Sequence, residues 1–199
     1  NGSPYPERLR TRRFDAGGTY RALAGSTGLV NLRGSYSAQR HRHTFGGARE
    51  RDAHETWFAE GAYTVNRGTQ TWVAGAAVLG ESYDARDMDG FDFSFTTPGV
   101  FTQVTVDATE RLALTGSARL DRHSEYGMFA SPRLSALLKL AGAWSLRASA
   151  GAGFFAPTPF TEETEVVGLS AMRPLSGVRA ERARGGSVDL GGQVGSVEV

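Results

Sequence analysis

The chain has 199 residues, no cysteine, 22 basic and 21 acidic residues, and a formal net charge of +1. The lack of cysteine excludes a disulfide scaffold and thiolate zinc sites, and the balanced charge offers no basic face for nucleic acid, so no nucleic-acid partner is expected. No run approaches the roughly 18 apolar residues of a membrane-spanning helix.

Alternation of apolar and polar residues is the dominant pattern along the chain. It predicts nine strands, at residues 13–24, 28–40, 54–65, 70–83, 98–107, 111–122, 132–140, 144–152 and 183–191. In the segment LALTGSARLDRH, for example, Leu112 and Leu114 fall on one face and Arg119 on the other. Several strands reach ten residues or more, above the usual five or six of a soluble sheet, which favours strands that cross a membrane at a tilt.

The predicted connections alternate between short and long. Residues 25–28, 66–69, 107–110 and 141–143 are short turns, whereas 41–53, 84–97, 123–130 and most of 154–182 are long and polar. In an up-and-down sheet every second connection lies at the same end, so this order predicts an all-β, antiparallel transmembrane barrel, here an incomplete arc of about nine or ten strands. A soluble β-sandwich also alternates apolar and polar residues, but it predicts no sorting of connection lengths.

The two faces of these strands have different expected environments. Charged side chains cost a few kcal/mol each in hydrocarbon, so we expect them to line the barrel lumen, beside a plug or along a ligand path; they are Arg33, Glu60, Arg119, Asp121 and Arg147. The side chains expected to face outer-membrane lipid are Val30, Leu32, Trp57, Tyr63, Leu112, Leu114, Leu120, Leu134, Leu138 and Leu146. Aromatic girdles at the lipid headgroups are predicted from Trp57, Tyr63, Trp72, Tyr83 and Phe101.

The stretch GAGFFAPTPFTEE, residues 151–163, opens with G-x-G-x-x-A, which is one form of the dinucleotide-binding turn. That turn must lead into a helix that receives the pyrophosphate. Pro157 and Pro159 make a helix improbable here, so no nucleotide is expected. The stretch instead fits a strand that leaves the membrane into an external loop.

Residues 131–184 carry a resemblance to one family. SPRLSALLKL, then WSLRASAGAGFFAPTPFTEETE, then GLSAMRPLSGVRAERAR is similar to the order of strand, short turn, strand ending in G-x-G-F-x-A-P, long loop and strand in the barrel of TonB-dependent outer-membrane receptors. The run GVFTQVTVDATERLALTGSARLDRHSEYG resembles two further strands around a periplasmic turn of that family. The chain departs from the pattern at Phe155, where a basic residue is common, and at Ala183, where serine is frequent.

The resemblance implies a function as well as a fold. Such receptors are barrels of about 22 strands in the bacterial outer membrane, closed by a plug, that import a scarce ligand with energy supplied through TonB. Residues 1–199 would then be part of the barrel domain, without the plug or a signal peptide. The implied partners are outer-membrane lipid, the TonB complex through the missing plug, and a small ligand such as a metal chelate, a vitamin or a glycan. No cofactor and no enzymatic activity are expected. The alternatives are a passive porin or adhesin-like outer-membrane barrel and a soluble β-sandwich binding module.

Ligand contacts are predicted in the external loops. The candidates are Arg40, His41, Arg42 and His43, which could form a cationic rim, and the aromatic residues Phe154, Phe155 and Phe160. No metal site is expected, because His41 and His43 have no third ligand nearby. The loop over 84–97 echoes a calcium loop but lacks its first and last ligands, at Ala85 and Thr96.

Overall fold

The computed structural model describes residues 6–159, 173–194 and 197–198, and every regular element in them is a strand. The strands are β1 (Glu7–Ala24), β2 (Gly28–Phe45), β3 (Ala48–Arg67), β4 (Gln70–Ala85), β5 (Phe93–Asp107), β6 (Leu112–His123), β7 (Gly127–Lys139), β8 (Ser145–Phe155), β9 (Glu181–Gly191), β10 (Gln193–Val194) and β11 (Val197–Glu198). In this part of the chain, no helix has the length and apolar character needed to cross a membrane.

Strands β1 to β9 form one antiparallel sheet in which each strand pairs with its neighbours in sequence. The sheet is unclosed, with β1 and β9 at its edges, and β10 and β11 pair separately. Each of these nine strands overlaps one of the nine predicted from alternation, and most are longer than predicted, which confirms the predicted all-β, up-and-down arc.

One rim of the sheet carries only tight turns. Residues 25–27, 68–69, 108–111 and 140–144 connect strands there, and we call it the short-turn rim. Gly68 has a φ of 61°, a left-handed conformation that lets β3 return into β4 through two residues. The opposite end, called the long-loop rim, carries the longer connections 86–92 and 156–180 and also two tight turns, 46–47 and 124–126, so the predicted sorting of short and long connections is seen only in part.

Three predicted long loops are shorter than expected. The loop predicted at 41–53 is wrong, because β2 and β3 continue to a tight turn at Gly46 and Gly47. The loops predicted at 84–97 and 123–130 shrink to 86–92 and 124–126. Polarity was the signal for a loop in each case, but a strand keeps its backbone ladder without apolar residues wherever both of its faces meet water or other polar groups.

The strand register assigns each side chain to one of the two faces of the sheet. Directly paired residues share a face, and the ladders place all ten predicted lipid-facing residues on one side, here called the leucine face. The predicted charges Arg33, Glu60, Arg119, Asp121 and Arg147 all lie on the other side, here called the ion-pair face.

The leucine face has no protein layer over it. Leu114 and Leu120 are each 43% exposed, and the buried apolar residues of the described chain are few, namely Ala53, Ala77, Ala85, Phe91 and Phe129. A β-sandwich would bury one face of each sheet against the other. The single layer therefore excludes the sandwich alternative for the described residues.

Candidate functional site

The ion-pair face carries a motif of arginine, carboxylate and phenylalanine. Arg33 on β2 is the direct cross-strand partner of Glu60 on β3, and its Nε and Nη2 donate to the two carboxylate oxygens at 2.9 and 3.0 Å. The guanidinium carbon lies 5.4 Å from the ring centroid of Phe58. Two parallel hydrogen bonds and a ring face fix the planar guanidinium in one orientation.

The same motif recurs four strands further along the sheet. Arg119 Nε donates to both oxygens of Asp121 at 2.8 Å, and its guanidinium carbon lies 5.8 Å from the centroid of Phe101. Asp121 is 3% exposed and faces Gly99 across the β5–β6 ladder. A Cβ at position 99 would run into the Asp121 carboxylate and the Arg119 guanidinium, so glycine leaves the space that the ion pair occupies. The fifth predicted charge, Arg147, lies opposite Asp189 in the β8–β9 ladder.

Histidines lie nearer the long-loop rim on the ion-pair face, and three of them contact carboxylates. His41 Nδ1 is 2.8 Å from Asp52 Oδ1, and its Nε2 is 2.6 Å from Gln39 Nε2, so one neutral tautomer donates to the carboxylate and accepts from the amide. His43 and His54 contact Glu7 and Glu81 at 2.8 and 2.9 Å. We call His41, His43 and His54 the histidine tier.

A series of rings continues from the histidine tier across β4, β5 and β6. Tyr83 stacks on Phe93 at a centroid distance of 5.9 Å, Phe93 on Phe95 at 4.8 Å, and Phe95 lies 4.9 Å from His123. The series ends at Tyr126, 5.0 Å from His123, and begins at His54, 6.0 Å from Tyr83. These six rings are the aromatic ladder. They form a continuous wall at the long-loop rim.

The aromatic ladder is tied to the longest connection. The Tyr126 hydroxyl donates to the Pro157 carbonyl at 2.9 Å, which links the turn at 124–126 to the residues that follow β8. Burial raises the pKa of the Tyr126 phenol, with a further contribution from the charge of Glu125. The neutral phenol that donates this bond is therefore maintained to higher pH than usual.

The four residues predicted as a cationic rim do not act together. Arg40, His41, Arg42 and His43 lie in strand β2 and not in a loop. Because side chains alternate along a strand, the histidines face the carboxylates of the ion-pair face, whereas both arginines point to the leucine face. The prediction of one cationic rim is therefore wrong.

The predicted aromatic residues have three different outcomes. Phe154 stacks on Phe129 with centroids 3.9 Å apart, and Arg182 lies 5.5 Å from the Phe129 centroid. Phe155 is 63% exposed at the end of β8, and Phe160 lies outside the described residues.

Three of the five residues predicted to form the girdle lie on the face expected for it. Trp57, Tyr63 and Trp72 lie on the leucine face and are each more than two fifths exposed. Tyr83 and Phe101 are wrong as girdle residues, because the alternation places both on the ion-pair face. There they belong to the aromatic ladder and to the Arg119 motif.

The carboxylates of the 86–92 connection and its flanks serve the turn itself. Asp87 pairs with Arg51, Asp84 contacts Arg86 at 3.3 Å, and Asp92 accepts from the Ala85 amide at 2.7 Å. Across the described residues, no group of three or more histidine or carboxylate side chains is arranged to hold a metal ion.

Sequence reasoning missed the aromatic ladder. Phe93 and Phe95 were within a predicted loop, although their spacing in FDFSF is the alternation of a strand. The same alternation, followed one strand pair further, would have placed Tyr83 beside them.

Comparison with known proteins supplies the family. The sequence model of the family described as TonB-dependent receptor-like, β-barrel matches residues 1–174 of this chain. No curated protein sequence matches the chain.

Solved structures share the fold. The siderophore receptor PirA from Pseudomonas aeruginosa superposes with a TM-score of 0.79 at 17% identity, covering 94% of this chain and 37% of PirA. A variant of the ferric enterobactin receptor PfeA from the same organism gives 0.79 at 14% identity, covering 96% of this chain and 33% of PfeA. The copper transporter OprC gives 0.74 at 16% identity, covering 94% and 37%. The chain thus spans about a third of the length of these proteins.

Proposed function

This chain belongs to the TonB-dependent receptor family as part of its β-barrel, and on that premise we propose that it forms part of the wall of a barrel that imports a scarce small ligand with energy supplied through TonB. Barrels of this family are outer-membrane proteins of Gram-negative bacteria, and the chain is a segment of an outer-membrane receptor. The plug and the contact with TonB belong to the whole receptor, and residues 1–199 supply part of the barrel domain alone.

The proposed orientation assigns the leucine face to lipid and the ion-pair face to the lumen. Its support is the single uncovered layer, in which leucines on one face are exposed without any other protein surface to bury them. An arginine at mid-depth in hydrocarbon costs about 2–4 kcal/mol, whereas a lumen supplies water and a plug. The short-turn rim is then periplasmic, and the long-loop rim faces outside.

The inner motifs are proposed to hold the plug or line the ligand path. Arg33 is about half exposed although its partner Glu60 is mostly covered, so its guanidinium remains available beside the pair. A guanidinium held by a carboxylate and a ring keeps a fixed direction for further hydrogen bonds. Arg119, whose side chain is 36% exposed beside a buried Asp121, offers the same.

The aromatic ladder and the histidine tier are proposed as the ligand-contacting wall at the outer mouth. Half-buried ring faces stack on flat organic groups, and the imidazoles beside them add hydrogen-bonding nitrogens. This chemistry suits a metal chelate with aromatic or carboxylate arms. The similar structures support a chelate over a vitamin or a glycan, since their names refer to a siderophore, ferric enterobactin and copper.

Uptake of a labelled chelate by a strain lacking the receptor tests the proposal. We expect radiolabelled iron delivered as a ferric siderophore to enter when the full-length receptor carrying this segment is restored, and not when TonB is also removed. Uptake that persists without TonB would indicate a passive porin. Binding at the cell surface without any uptake, with TonB present or absent, would indicate an adhesin-like barrel.

The family premise also bears on chemistry. Members of this family are receptors that transport, and we propose that this chain catalyses no reaction. Recovery of the chelate chemically unchanged from the periplasm tests this point, because hydrolysed or reduced chelate produced by the purified receptor would contradict it.

A further inference from the structure

On the first three strands, the leucine face carries seven arginines near the long-loop rim, and they form one continuous patch. This arginine patch consists of Arg8, Arg10 and Arg12 on β1, Arg40 and Arg42 on β2, and Arg49 and Arg51 on β3. All point to the same side of the sheet, because each row of the ladder pairs them with one another or with a residue of that face.

The rows of the ladder bring the positive charges together. Arg10, Arg42 and Arg51 are direct cross-strand partners in one row, and Arg12 pairs with Arg40 in the next row toward the short-turn rim. Directly opposed side chains in an antiparallel sheet lie about 5 Å apart, where like charges destabilise the pairing. The patch therefore calls for negative charge from outside its own residues.

Acids of this chain supply little of that charge. Asp87 accepts from Arg51 at 2.6 and 2.9 Å, and among the described residues the other six arginines have no ion-pair partner. Asp84, which lies opposite Ala53 beside the patch, already contacts Arg86. Glu55, on the same face one row nearer the short-turn rim, contacts Tyr36 and forms no ion pair with the patch. Six of the seven are exposed, with Arg51 half-buried.

The position of the patch identifies what supplies the charge. The next row toward the short-turn rim on the same face carries Phe14 and Glu55, and the row after it pairs Tyr36 with Trp57. The three aromatic side chains are exposed. Aromatic residues of this kind mark the level where hydrocarbon gives way to headgroups. The arginines begin directly above that level, on the surface that faces the membrane and away from the lumen.

We propose that the arginine patch binds the phosphate groups of outer-leaflet lipids that surround the barrel. Guanidinium groups donate bidentate hydrogen bonds to phosphate oxygens, and a row of three spaced about 5 Å apart can grip a headgroup with several phosphates. The site differs from the proposed ligand path, because His41 and His43 on the same strand point to the opposite face.

Lipid titration of the full-length receptor carrying this segment tests the proposal. The purified receptor in neutral detergent micelles is titrated with fluorescent lipid A carrying both phosphates, and separately with dephosphorylated lipid A. The test variant combines Arg8→Gln, Arg10→Gln, Arg42→Gln and Arg49→Gln, and it leaves Arg51 to hold Asp87. A matched Arg→Lys variant at the same four positions keeps the charge.

A control variant uses the other face of β1. Arg13 and Arg21 point to the ion-pair face of the same strand, so Arg13→Gln with Arg21→Gln removes positive charge without touching the patch. Equal heat resistance of all variants on gels shows that the barrel has folded.

The expected result is a large loss of affinity for phosphorylated lipid in the glutamine variant alone. Each basic residue near a charged membrane surface changes the affinity by about fivefold. Four replacements should therefore raise the Kd for phosphorylated lipid A by more than about tenfold. The lysine variant and the Arg13/Arg21 control should stay within about threefold of wild type. Uptake of chelate should persist in the glutamine variant, which separates this proposal from the proposed function.

Three results would overturn the proposal. Equal affinity of the glutamine variant and wild type for phosphorylated lipid A is the first. Equal binding of dephosphorylated lipid A by wild type would show that acyl chains alone are recognised. Displacement by millimolar inorganic phosphate, together with no preference between the two lipids, would show a site for free phosphate.

Discussion

Asp87 Oδ1 lies 2.6 Å from Arg51 Nη2, and this contact ties the connection between β4 and β5 to strand β3. Behind it, Phe91 and Ala85 are each 3% exposed and pack together with Tyr83 and Met88. A connection of seven residues is thus held by an ion pair at one end and a small apolar cluster at the other. The connection also joins the strands that carry Tyr83 and Phe93, which are neighbouring rings of the aromatic ladder.

The Arg51–Asp87 contact predicts a pH-dependent order of residues 86–92. The guanidinium hydrogen bond, with further attraction from Arg49, lowers the pKa of Asp87 below its usual range. A lowered pKa in the folded state means that the contact contributes above the ordinary aspartate pKa and is lost as pH falls through the lowered one. We expect Asp87→Asn to speed amide hydrogen exchange in 86–92 several-fold at neutral pH.

The same measurement in acid provides the control for Asp87. Once Asp87 itself is protonated, neither protein forms the ion pair with Arg51. The Asp87→Asn variant and wild type should then exchange the amides of 86–92 at similar rates. Asp89→Asn is the matched substitution, since Asp89 lies in the same connection and has no ion-pair partner among the described residues. If Asp89→Asn loosened the segment as much as Asp87→Asn does, the Arg51 contact would not be the cause.

Gly99 is predicted to be essential for the Arg119 motif. A methyl group there would overlap the Asp121 carboxylate, so Gly99→Ala must displace the ion pair or bend β5. Overpacking of this kind costs about 1–3 kcal/mol, and urea unfolding of the full-length receptor in detergent measures it. Gly18→Ala is the control, because a methyl group at that position meets no atom within 4 Å. Equal stability of the two variants would show that the space beside Asp121 is not limiting.

Phe95 is predicted to contribute to ligand binding through the aromatic ladder. It packs between Phe93 and His123 with centroid distances of 4.8 and 4.9 Å. Phe95→Ala removes a stacking surface, and an aromatic contact is worth about 0.5–1.5 kcal/mol, so the Kd for a ferric chelate should rise about three- to tenfold. Fluorescence titration of the purified full-length receptor measures this.

Phe14 supplies the comparison for Phe95. It is 61% exposed on the leucine face of β1, away from the proposed ligand wall. Phe14→Ala should leave the Kd within about twofold of wild type. A loss of affinity in Phe14→Ala that matched the loss in Phe95→Ala would remove the aromatic ladder from the ligand path.

Much of this fold could be predicted because its strands carry a clear apolar signal. In β6, Leu114 and Leu120 were predicted on one face and Thr115 and Arg119 on the other. The register of the sheet places them on those two faces. Tight turns such as the one at Gly68 contain residues that favour left-handed backbone. The number and order of the strands follow from these two signals.

The upper parts of the strands could not be recognised from the same signal. Residues 41–53 contain almost no apolar side chains, yet they form the ends of β2 and β3, joined through contacts such as His41 with Asp52. Where both faces of a strand meet water or other polar groups, alternation of polarity disappears, although alternation of side-chain direction persists. Arg40 and Arg42 are separated from His41 and His43 because successive side chains of a strand point to opposite faces.

The candidate site depended on contacts between strands that are distant in sequence. Arg33 and Glu60 were both predicted to face the lumen, but their pairing requires the β2–β3 register, which a single sequence specifies weakly. The aromatic ladder joins four strands and a turn, from His54 to Tyr126. Rings that are 72 positions apart in the chain meet only because the sheet is up-and-down throughout.

The most direct test of the account asks which face of the sheet meets hydrocarbon. The chain has no cysteine, so single cysteines can be placed at 112, 114 and 120 on the leucine face and at 115, 117 and 119 on the ion-pair face of β6 in the full-length receptor, with any other cysteines replaced. Each is labelled with a fluorophore in outer membranes. We predict quenching by lipid-borne nitroxide at 112, 114 and 120 only, and quenching by aqueous iodide at the other three. Aqueous quenching at all six positions, or the reverse alternation, would contradict the assignment of the leucine face to lipid.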